Sequence, residues 1–185
     1  CNVANDDTGD FYVQDLTSAG IDTNLGDNRA DGVTGKCMVM ITPDAERTMN
    51  TYLGITADLG QEHINQAALK DSEYLYIEGY LVSSDSARQA AIECKQFAEA
   101  NNVKTAMTFS DPAMVQFFKD GIVEMLGSGV DLLFCNEEEA LSIADTSDFE
   151  VAKAHLKTLA KSFAVTLGSK GALVFDGKTE ISIAP

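Results

Sequence analysis

Basic side chains are scarce in this sequence of 185 residues. Lysine and arginine together number 13 against 29 aspartates and glutamates, which gives a formal net charge of −16. A chain with this excess of negative charge repels nucleic acids and anionic membrane surfaces at long range, so we expect neither as a partner. A local site can still hold a small anion such as a nucleotide, because backbone N–H groups act at short range.

Several motifs that mark other chemistries are also missing. The four cysteines, Cys1, Cys37, Cys94 and Cys135, form no CxxC pair, and the two histidines are far apart with no HExxH motif, so we expect no zinc site. No GxSxG elbow, GxGxxG loop or Walker loop occurs. No apolar run approaches the ~20 residues of a membrane-spanning helix, and no secretory signal is visible. We therefore expect buried, reduced thiols in a cytoplasmic protein.

What the sequence does contain is typical of a globular α/β protein. Apolar residues make up 45% of the chain and charged residues 23%, enough for a core of useful size. From residue 61 onward, helical and β-rich segments alternate, and this alternation predicts a mostly parallel sheet with helices on both faces. The predicted helices cover residues 62–70, 84–100, 113–126, 137–144 and 149–162, and the predicted strands cover 73–78, 104–109, 130–135, 163–167, 171–175 and about 179–183.

The first 60 residues follow a different pattern. Residues 10–19 predict a short helix. Two β-prone runs, 36–42 and 47–53, flank a turn that begins Pro43–Asp44 and predict a hairpin outside the main sheet. We accordingly divide the chain into a partial core domain (1–33), a hairpin with its return to the core (34–58) and an α/β core (59–185).

Polar residues follow the predicted core strands, at the carboxyl ends where open parallel sheets bind ligands. Asn136 and Glu139 come directly after the third core strand and allow two interpretations. They form a capping box at the start of the next helix, or Asn136 donates its amide to a phosphate while Glu139 holds Mg²⁺ through water. The sequence leaves both open.

The segment from Thr166 to Gly171 follows the next strand. It is either a plain turn with glycines at positive φ, or a close approach of backbone N–H groups to a nucleotide near Gly168, with the Thr166 hydroxyl beside it. Glu78, after the first core strand, is either a contact for substrate hydroxyls or the metal shell, or a solvated charge.

Two further residues favour structural interpretations. Asp111, followed by Pro112, is typical of a helix N-cap with proline at the first helical position. Arg47 begins the second hairpin strand, where a surface side chain is more common than a ligand.

The order and spacing of these motifs resemble the ribokinase-like (PfkB) kinases of sugars and nucleosides, and most of all their adenosine-kinase-like members. The matching pieces extend over nearly the whole chain. They are Thr34-Gly35 with the following C-M-V-M-I-T-P-D-A-E-R-T-M-N-T-Y-L-G, then Ile77-Glu78-Gly79, Asn136-x-x-Glu139 and Thr166-Leu167-Gly168-x-x-Gly171-Ala172.

This resemblance implies a fold, a reaction and a set of ligands. Residues 34–54 would belong to a small β lid over the substrate, through whose sheets a homodimer can form. Asn136 would contact the phosphates of ATP, and Glu139 would organise Mg²⁺. Thr166, Gly168 and Gly171 would line the nucleotide site, and Glu78 would lie near the substrate or the phosphates. The acceptor would be a hydroxyl of a sugar or nucleoside, and Arg47 is kept with Glu78 as a candidate substrate contact.

The sequence also departs from the family pattern. The N-terminal portion with its substrate-binding Asp and Gly-Gly segment is missing, as is the Gly-Ala-Gly-Asp segment whose Asp is the catalytic base. We therefore expect a ribokinase-like fold that is incomplete at both ends, assign no catalytic residue, and expect the chain alone to be inactive. The alternative is a nucleotide-binding α/β module without catalysis.

Overall fold

A computed structural model describes residues 2–23, 25, 29–44 and 47–185 of the chain. The chain divides into two compact units, Cys1–Asn65 and Gln66–Pro185. The predicted α/β class is confirmed, whereas the division into three segments stays a prediction. None of the helices in the described residues is long and apolar enough to cross a membrane.

In its described residues the first unit contains one α-helix and one hairpin. Helix α1 (Asp7–Ser18) precedes strands β1 (Lys36–Ile41) and β2 (Arg47–Tyr52), which pair antiparallel. Two short 3₁₀ helices follow, Gly54–Asp58 and Gln61–His63. The hairpin lies where the sequence predicted it, and residues 45 and 46 of its predicted turn lie outside the described residues.

Helix α1 begins three residues earlier than predicted because Asp6 caps it. The Asp6 carboxylate accepts hydrogen bonds from the backbone N–H groups of Gly9 at 2.8 Å and Thr34 at 3.0 Å, and from the Thr34 hydroxyl. These bonds lower the pKa of Asp6 to about 2, with the Thr34 hydroxyl as the largest cause. One carboxylate thus ends the chain's first loop and begins its first helix.

The second unit alternates between strands and helices. Helix α2 (Gln66–Lys70) leads into a six-stranded sheet with order β3-β4-β5-β6-β7-β8. The first four strands are parallel, and β7 and β8 are antiparallel to their neighbours. The remaining elements are β3 (Tyr74–Glu78), α3 (Asp85–Ala100), β4 (Lys104–Thr108), α4 (Pro112–Leu126), β5 (Val130–Asn136), α5 (Glu137–Ile143), α6 (Phe149–Leu159), β6 (Ala160–Thr166), β7 (Ala172–Phe175) and β8 (Glu180–Ile183).

The main helices of this unit pack on one face of the sheet. Strands β3 to β6 lie side by side in chain order, so right-handed crossovers carry every connecting helix to the same side. Strand residues that face the helices, such as Ile77, Met107, Leu133 and Phe163, are at most 2% exposed. They form a single core with the apolar sides of α4, α5 and α6.

The opposite face of the sheet, which we call the open face, carries the intervening strand residues. Tyr76 is 52% exposed, Phe134 37% and Ile181 48%. Helices therefore cover one face in the described part of this unit, where the sequence predicted both. In strand register, the apolar members of the open face are Tyr76, Ala106, Leu132, Phe134, Ala164, Val174, Ile181 and Ile183.

Three local predictions need correction. The helix predicted over 149–162 ends at Leu159, because residues from Ala160 pair with β5 instead. The helix predicted over 62–70 is a 3₁₀ turn followed by the five-residue α2. Of the cysteines predicted to be buried, Cys135 is buried, Cys94 is partly buried and Cys37 is exposed on the hairpin, and Cys1 lies outside the described residues.

Candidate functional site

The strand register brings the two predicted motifs to the same point of the sheet. Asn136 ends β5 and Thr166 ends β6, and the two residues are direct partners in parallel pairing. Their Cα atoms are therefore about 4.8 Å apart. Both lie at the edge formed by the carboxyl ends of the parallel strands, which we call the carboxyl edge. The sequence alone could place each residue at a strand end but could not show that these strands are neighbours.

Asn136 and Glu139 form the predicted capping box at the start of α5. The backbone N–H of Asn136 donates to Glu139 Oε2, and the backbone N–H of Glu139 donates to Asn136 Oδ1, both at 2.8 Å. This reciprocal pair fixes both side chains. Among the described residues, no acceptor lies within hydrogen-bond distance of Asn136 Nδ2. The cap therefore uses the amide oxygen and leaves the amide donor available.

Glu139 is a buried carboxyl group, 4% exposed. Burial raises its pKa, the hydrogen bond from Asn136 opposes that rise, and the negative charges of Asp111 and Glu138 add to it. Asp111 is thus close enough for its charge to act on Glu139, although its first role is to cap α4 through the N–H of Ala113 at 2.7 Å. The negative charge of Asp111 thus acts at the position of the Glu139 carboxyl group, and negative charge concentrated in this way attracts a cation.

The turn after β6 lies open beside this pair. Gly168 has a φ of +57°, with no atom within 4 Å of the position that a Cβ would take. Gly171 has a φ of +92°, and a Cβ there would lie 2.0 Å from the carbonyl oxygen of Ile183. Lys170 Nζ lies 3.4 Å from Glu137 Oε2, which ties the turn to the start of α5. Both glycines therefore have the positive φ that the sequence predicted, and only Gly171 is also confined by its neighbours.

Glu78 lies at the same edge on β3, two strands from Asn136, or about 10 Å across the sheet. Ser110 Oγ donates to Glu78 Oε2 at 3.0 Å. The Ser110 backbone has a φ of +71°, and its N–H donates to Thr108 Oγ1 at 3.1 Å. Serine is not a usual left-handed residue, so sequence reasoning had no signal for this contact.

Gly79 was named in the Ile77-Glu78-Gly79 motif but was given no role of its own, although its position directly after a strand was a usable signal. A Cβ at Gly79 would lie 2.4 Å from the carbonyl oxygen of Phe109. Only glycine permits this approach between the ends of β3 and β4, and the approach helps to place Glu78. Arg47, the remaining predicted ligand, is exposed at the first position of β2 in the other unit.

The residues present fit Mg²⁺ only in its usual, water-rich form. The described part of the chain contains no group of three or more His, Cys, Asp or Glu side chains arranged around a metal position. Mg²⁺ ordinarily keeps several waters and takes one or two protein carboxylates together with substrate phosphates. Glu139, with Asp111 near it, matches that limited donor set.

A cavity of about 630 Å³ lies at the opposite edge of the sheet, where the strands begin. It contains none of the predicted site residues. Asp131 in its wall accepts bonds from Lys161 Nζ at 2.6 Å and from the N–H of Thr105 at 2.8 Å. These charges are already satisfied within the fold, so we assign the cavity no part in the site.

Comparison with known proteins identifies what this chain is similar to. The family model described as pfkB family carbohydrate kinase matches residues 1–185. The crystal structure of adenosine kinase from Sinorhizobium meliloti superposes with a TM-score of 0.91 at 34% identity, over 99% of this chain and 56% of that one. Adenosine kinase from Anopheles gambiae, in complex with P1,P4-di(adenosine-5) tetraphosphate, superposes at 0.84 with 25% identity, over 98% and 58%.

One curated relative matches a shorter part of the chain. The 5-dehydro-2-deoxygluconokinase of Halalkalibacterium halodurans is 29% identical over 105 residues, which is 55% of this chain and 32% of that enzyme. This chain thus spans little more than half the length of the solved relatives and a third of the curated one. The superpositions confirm the fold that the sequence predicted.

Proposed function

This chain belongs to the pfkB family of carbohydrate kinases, and we propose that its carboxyl edge holds ATP and Mg²⁺ during phosphoryl transfer to a hydroxyl of a sugar or nucleoside. The observation that carries this proposal is the pairing of Asn136 with Thr166 in strand register, beside the buried Glu139. The ligand of the mosquito adenosine kinase, a diadenosine tetraphosphate, supports a site of this kind in the fold.

The proposed nucleotide contacts are polar groups of the carboxyl edge that make no hydrogen bond in the part of the fold described. Asn136 Nδ2 donates to a phosphate oxygen, and Thr166 adds a hydroxyl one strand away. Gly168 presents its backbone to open space, and Gly171 gives the turn its shape. Phosphoryl transfer depends mainly on such positioning and on neutralisation of charge.

The negative charge of the carboxyl edge is the reason to include a metal ion in the proposal. Glu137, Glu138, Glu139 and Asp111 all stand at this edge, and Lys170 is already paired with Glu137. A bare triphosphate would be repelled here, so the site takes ATP as its magnesium complex. Mg²⁺ would neutralise the phosphates when bound, and Glu139 would hold it through water.

The acceptor side of the site is less complete in this chain. Glu78, held by Ser110, faces the edge from β3 and is the proposed contact for acceptor hydroxyls. Arg47, on the hairpin proposed as the lid, is the second proposed contact. Lid closure would exclude water and limit hydrolysis of ATP. We also propose that two lids pair to form a homodimer and that the protein is cytoplasmic.

The second candidate is a nucleotide-binding module without catalysis, which is favoured by the fact that no catalytic base is assigned in this chain. The two are separated with a chimera in which this chain replaces the matching part of the Sinorhizobium meliloti adenosine kinase. We expect ADP release by the chimera with adenosine and none by the 185-residue chain alone. A folded chimera that binds ATP with Mg²⁺ yet releases no ADP would support the module.

The role of Asn136 is tested by a substitution that preserves the helix cap. Asn136→Ser keeps a side-chain oxygen for the Glu139 N–H but removes the amide donor. Loss of one bond to a charged phosphate costs about 1.5–3 kcal/mol, so we expect ATP to bind the chimera roughly 10–100-fold more weakly. The matched control is Asp148→Ser at the cap of α6. Equal ATP affinity in both variants would remove Asn136 from the site.

A further inference from the structure

Ser110 has a backbone conformation that serine rarely adopts. Its φ is +71°, and the backbone N–H of Asp111 donates across it to the carbonyl oxygen of Phe109 at 2.9 Å. A hydrogen bond between residues i and i+2 around a φ near +75° defines the rarer, strained form of γ-turn. The other non-glycine residues of positive φ in the described part of the chain are Asn102 and Asp145, and both types tolerate this conformation. Strain of this kind persists only where surrounding contacts hold it, most often at a functional site.

The contacts that hold Ser110 lie at the carboxyl ends of β3 and β4. Its N–H donates to Thr108 Oγ1 at 3.1 Å, and its hydroxyl donates to Glu78 Oε2 at 3.0 Å. Glu78 and Thr108 are direct partners in the pairing of the two strands. Tyr76 lies on the same face of β3 as Glu78. Partial burial raises the pKa of Tyr76, the charge of Glu78 and a hydrogen bond with it add to the rise, and a hydrogen bond with Thr108 opposes it. These four side chains thus form one polar cluster around the Glu78 carboxylate.

The backbone around this carboxylate is fixed by packing. A Cβ at Gly79 would lie 2.4 Å from the carbonyl oxygen of Phe109, so the chain segments that follow β3 and β4 are in contact. The side chain of Glu78 is not fixed in the same way, because it is exposed at the end of its strand and glutamate loses rotamer entropy when it is ordered. A hydroxyl that reaches it from the neighbouring loop selects one orientation before any ligand arrives.

We propose that Ser110 is a positioning residue for phosphoryl transfer, whose hydroxyl orients the Glu78 carboxylate toward the acceptor. The strained turn has a function in this proposal, because it brings the Ser110 hydroxyl to Glu78 Oε2. Orienting the carboxylate in advance favours its hydrogen bond to an acceptor hydroxyl, since less freedom is lost on binding. The inference rests on the proposed function, in which Glu78 contacts the acceptor.

The effect of Ser110 is confined to the acceptor side of the site. Asp111, the next residue, lies on the metal side, where its charge acts on Glu139. The Asp111 carboxylate is held without the Ser110 hydroxyl, because it accepts a hydrogen bond from the Ala113 N–H at 2.7 Å. Removing the hydroxyl should therefore weaken binding of the acceptor and leave binding of ATP and Mg²⁺ unchanged.

The first measurement determines whether Ser110 and Glu78 interact in the 185-residue chain. Ser110→Ala removes the hydroxyl and keeps a Cβ at the same φ, Glu78→Ala removes the carboxylate, and a third protein combines both changes. In urea denaturation, the equilibrium constant for unfolding of the double variant should be about 2–5-fold below the value that independent effects predict, because one hydrogen bond can be lost only once. Independent effects would overturn the proposal.

The second measurement uses the chimera with adenosine as the acceptor. We expect Ser110→Ala to raise the KM for adenosine about 10-fold, as for a weakened hydrogen bond to a charged group, and to change kcat and the KM for ATP less than about twofold. Ser110→Gly removes the backbone strain together with the hydroxyl, so it should raise the KM for adenosine equally without loss of stability. Ser162→Ala is the matched control, because it removes a hydroxyl that donates to the carbonyl oxygen of Asp131 at 2.7 Å near the opposite edge.

The outcomes separate a failure of this inference from a failure of the proposed function. An unchanged KM for adenosine in Ser110→Ala, or a KM for ATP that rises equally, would overturn the positioning role. A wild-type KM for adenosine in Ser110→Gly would show that the hydroxyl is dispensable and would overturn it too. A folded chimera that releases no ADP would contradict the proposed function and with it the acceptor role of Glu78, whereas coupling in the chain would still assign the orientation of Glu78 to Ser110.

Discussion

The carboxyl group of Glu139 provides the sharpest test, because its structural role and its proposed role in holding Mg²⁺ make different demands. Its Oε2 accepts the Asn136 N–H at 2.8 Å, and burial raises its pKa. Glu139→Gln keeps an acceptor at the same place without the charge. Glu139→Ala removes the acceptor and leaves the Asn136 N–H without its partner. We expect Glu139→Ala to lower the free energy of unfolding by about 1–2 kcal/mol, and Glu139→Gln to leave it unchanged or higher at pH 7.

The difference in stability between the wild type and Glu139→Gln depends on pH, because the pKa of Glu139 is raised in the folded state. The folded state holds a proton on Glu139 at pH values where the unfolded chain has lost it, so the wild-type chain loses stability as pH rises. This loss begins near the ordinary pKa of 4.5 and is complete above the raised value. The advantage of Glu139→Gln over the wild type should therefore be absent below pH 4.5, grow above it and then become constant.

Urea denaturation followed by circular dichroism, from pH 4 to pH 8 without Mg²⁺, measures the free energy of unfolding of the wild type, Glu139→Gln and Glu139→Ala. In the chimera, Glu139→Gln should abolish most ADP release despite its intact fold, because the proposed metal contact needs the charge. If Glu139→Gln is destabilised as much as Glu139→Ala at pH 7, the carboxylate is stabilising in its ionised form. Burial would then not be the dominant influence on the Glu139 carboxyl group.

The remaining predictions concern the turn and the first helix. Gly171→Ala should cost more than about 2 kcal/mol in urea denaturation, because its Cβ would meet Ile183 at positive φ, whereas Gly168→Ala should cost only about 1 kcal/mol of backbone strain; equal losses would contradict the packing at Gly171. The Asp6 carboxylate, with a pKa of about 2, stabilises the fold above its unfolded pKa of about 3.8, and this contribution is lost as pH falls toward 2. Thermal midpoints should therefore fall more steeply between pH 4 and pH 2 in the wild type than in Asp6→Asn, and parallel curves would exclude this role.

Much of the α/β unit could be predicted from local pattern. Strands such as Val130–Asn136 are mostly apolar, and the helices between them have clear apolar spacing and side-chain caps. The exact ends of these helices and strands were harder to predict, because pairing with neighbouring strands determines them. Ala160 to Ser162 suit a helix by composition, but pairing with β5 draws them into β6. Tertiary pairing overrides local propensity there.

The order of the strands in the sheet could not be predicted from the sequence, and it determines two features of the structure. Because β3 to β6 follow one another across the sheet, Asn136 and Thr166 become neighbours, and the described helices of the unit cover one face only. Neither result can be inferred from the periodicity of a single segment. The left-handed conformation of Ser110 and its hydrogen bond to Glu78 could not be inferred from a single segment either, because they depend on the juxtaposition of β3 and β4.

The two interpretations of Asn136 and Glu139 that the sequence left open are compatible in the structure. The capping box uses Asn136 Oδ1 and Glu139 Oε2, while Asn136 Nδ2 and the second carboxylate oxygen have no partner among the described residues. Because the cap fixes both side chains, their unused atoms are held in place before any ligand arrives, which reduces the entropy cost of binding. A helix cap in which each residue engages half of its polar atoms is thus a suitable base for a phosphate and metal site, and its structural role supports its proposed chemical one.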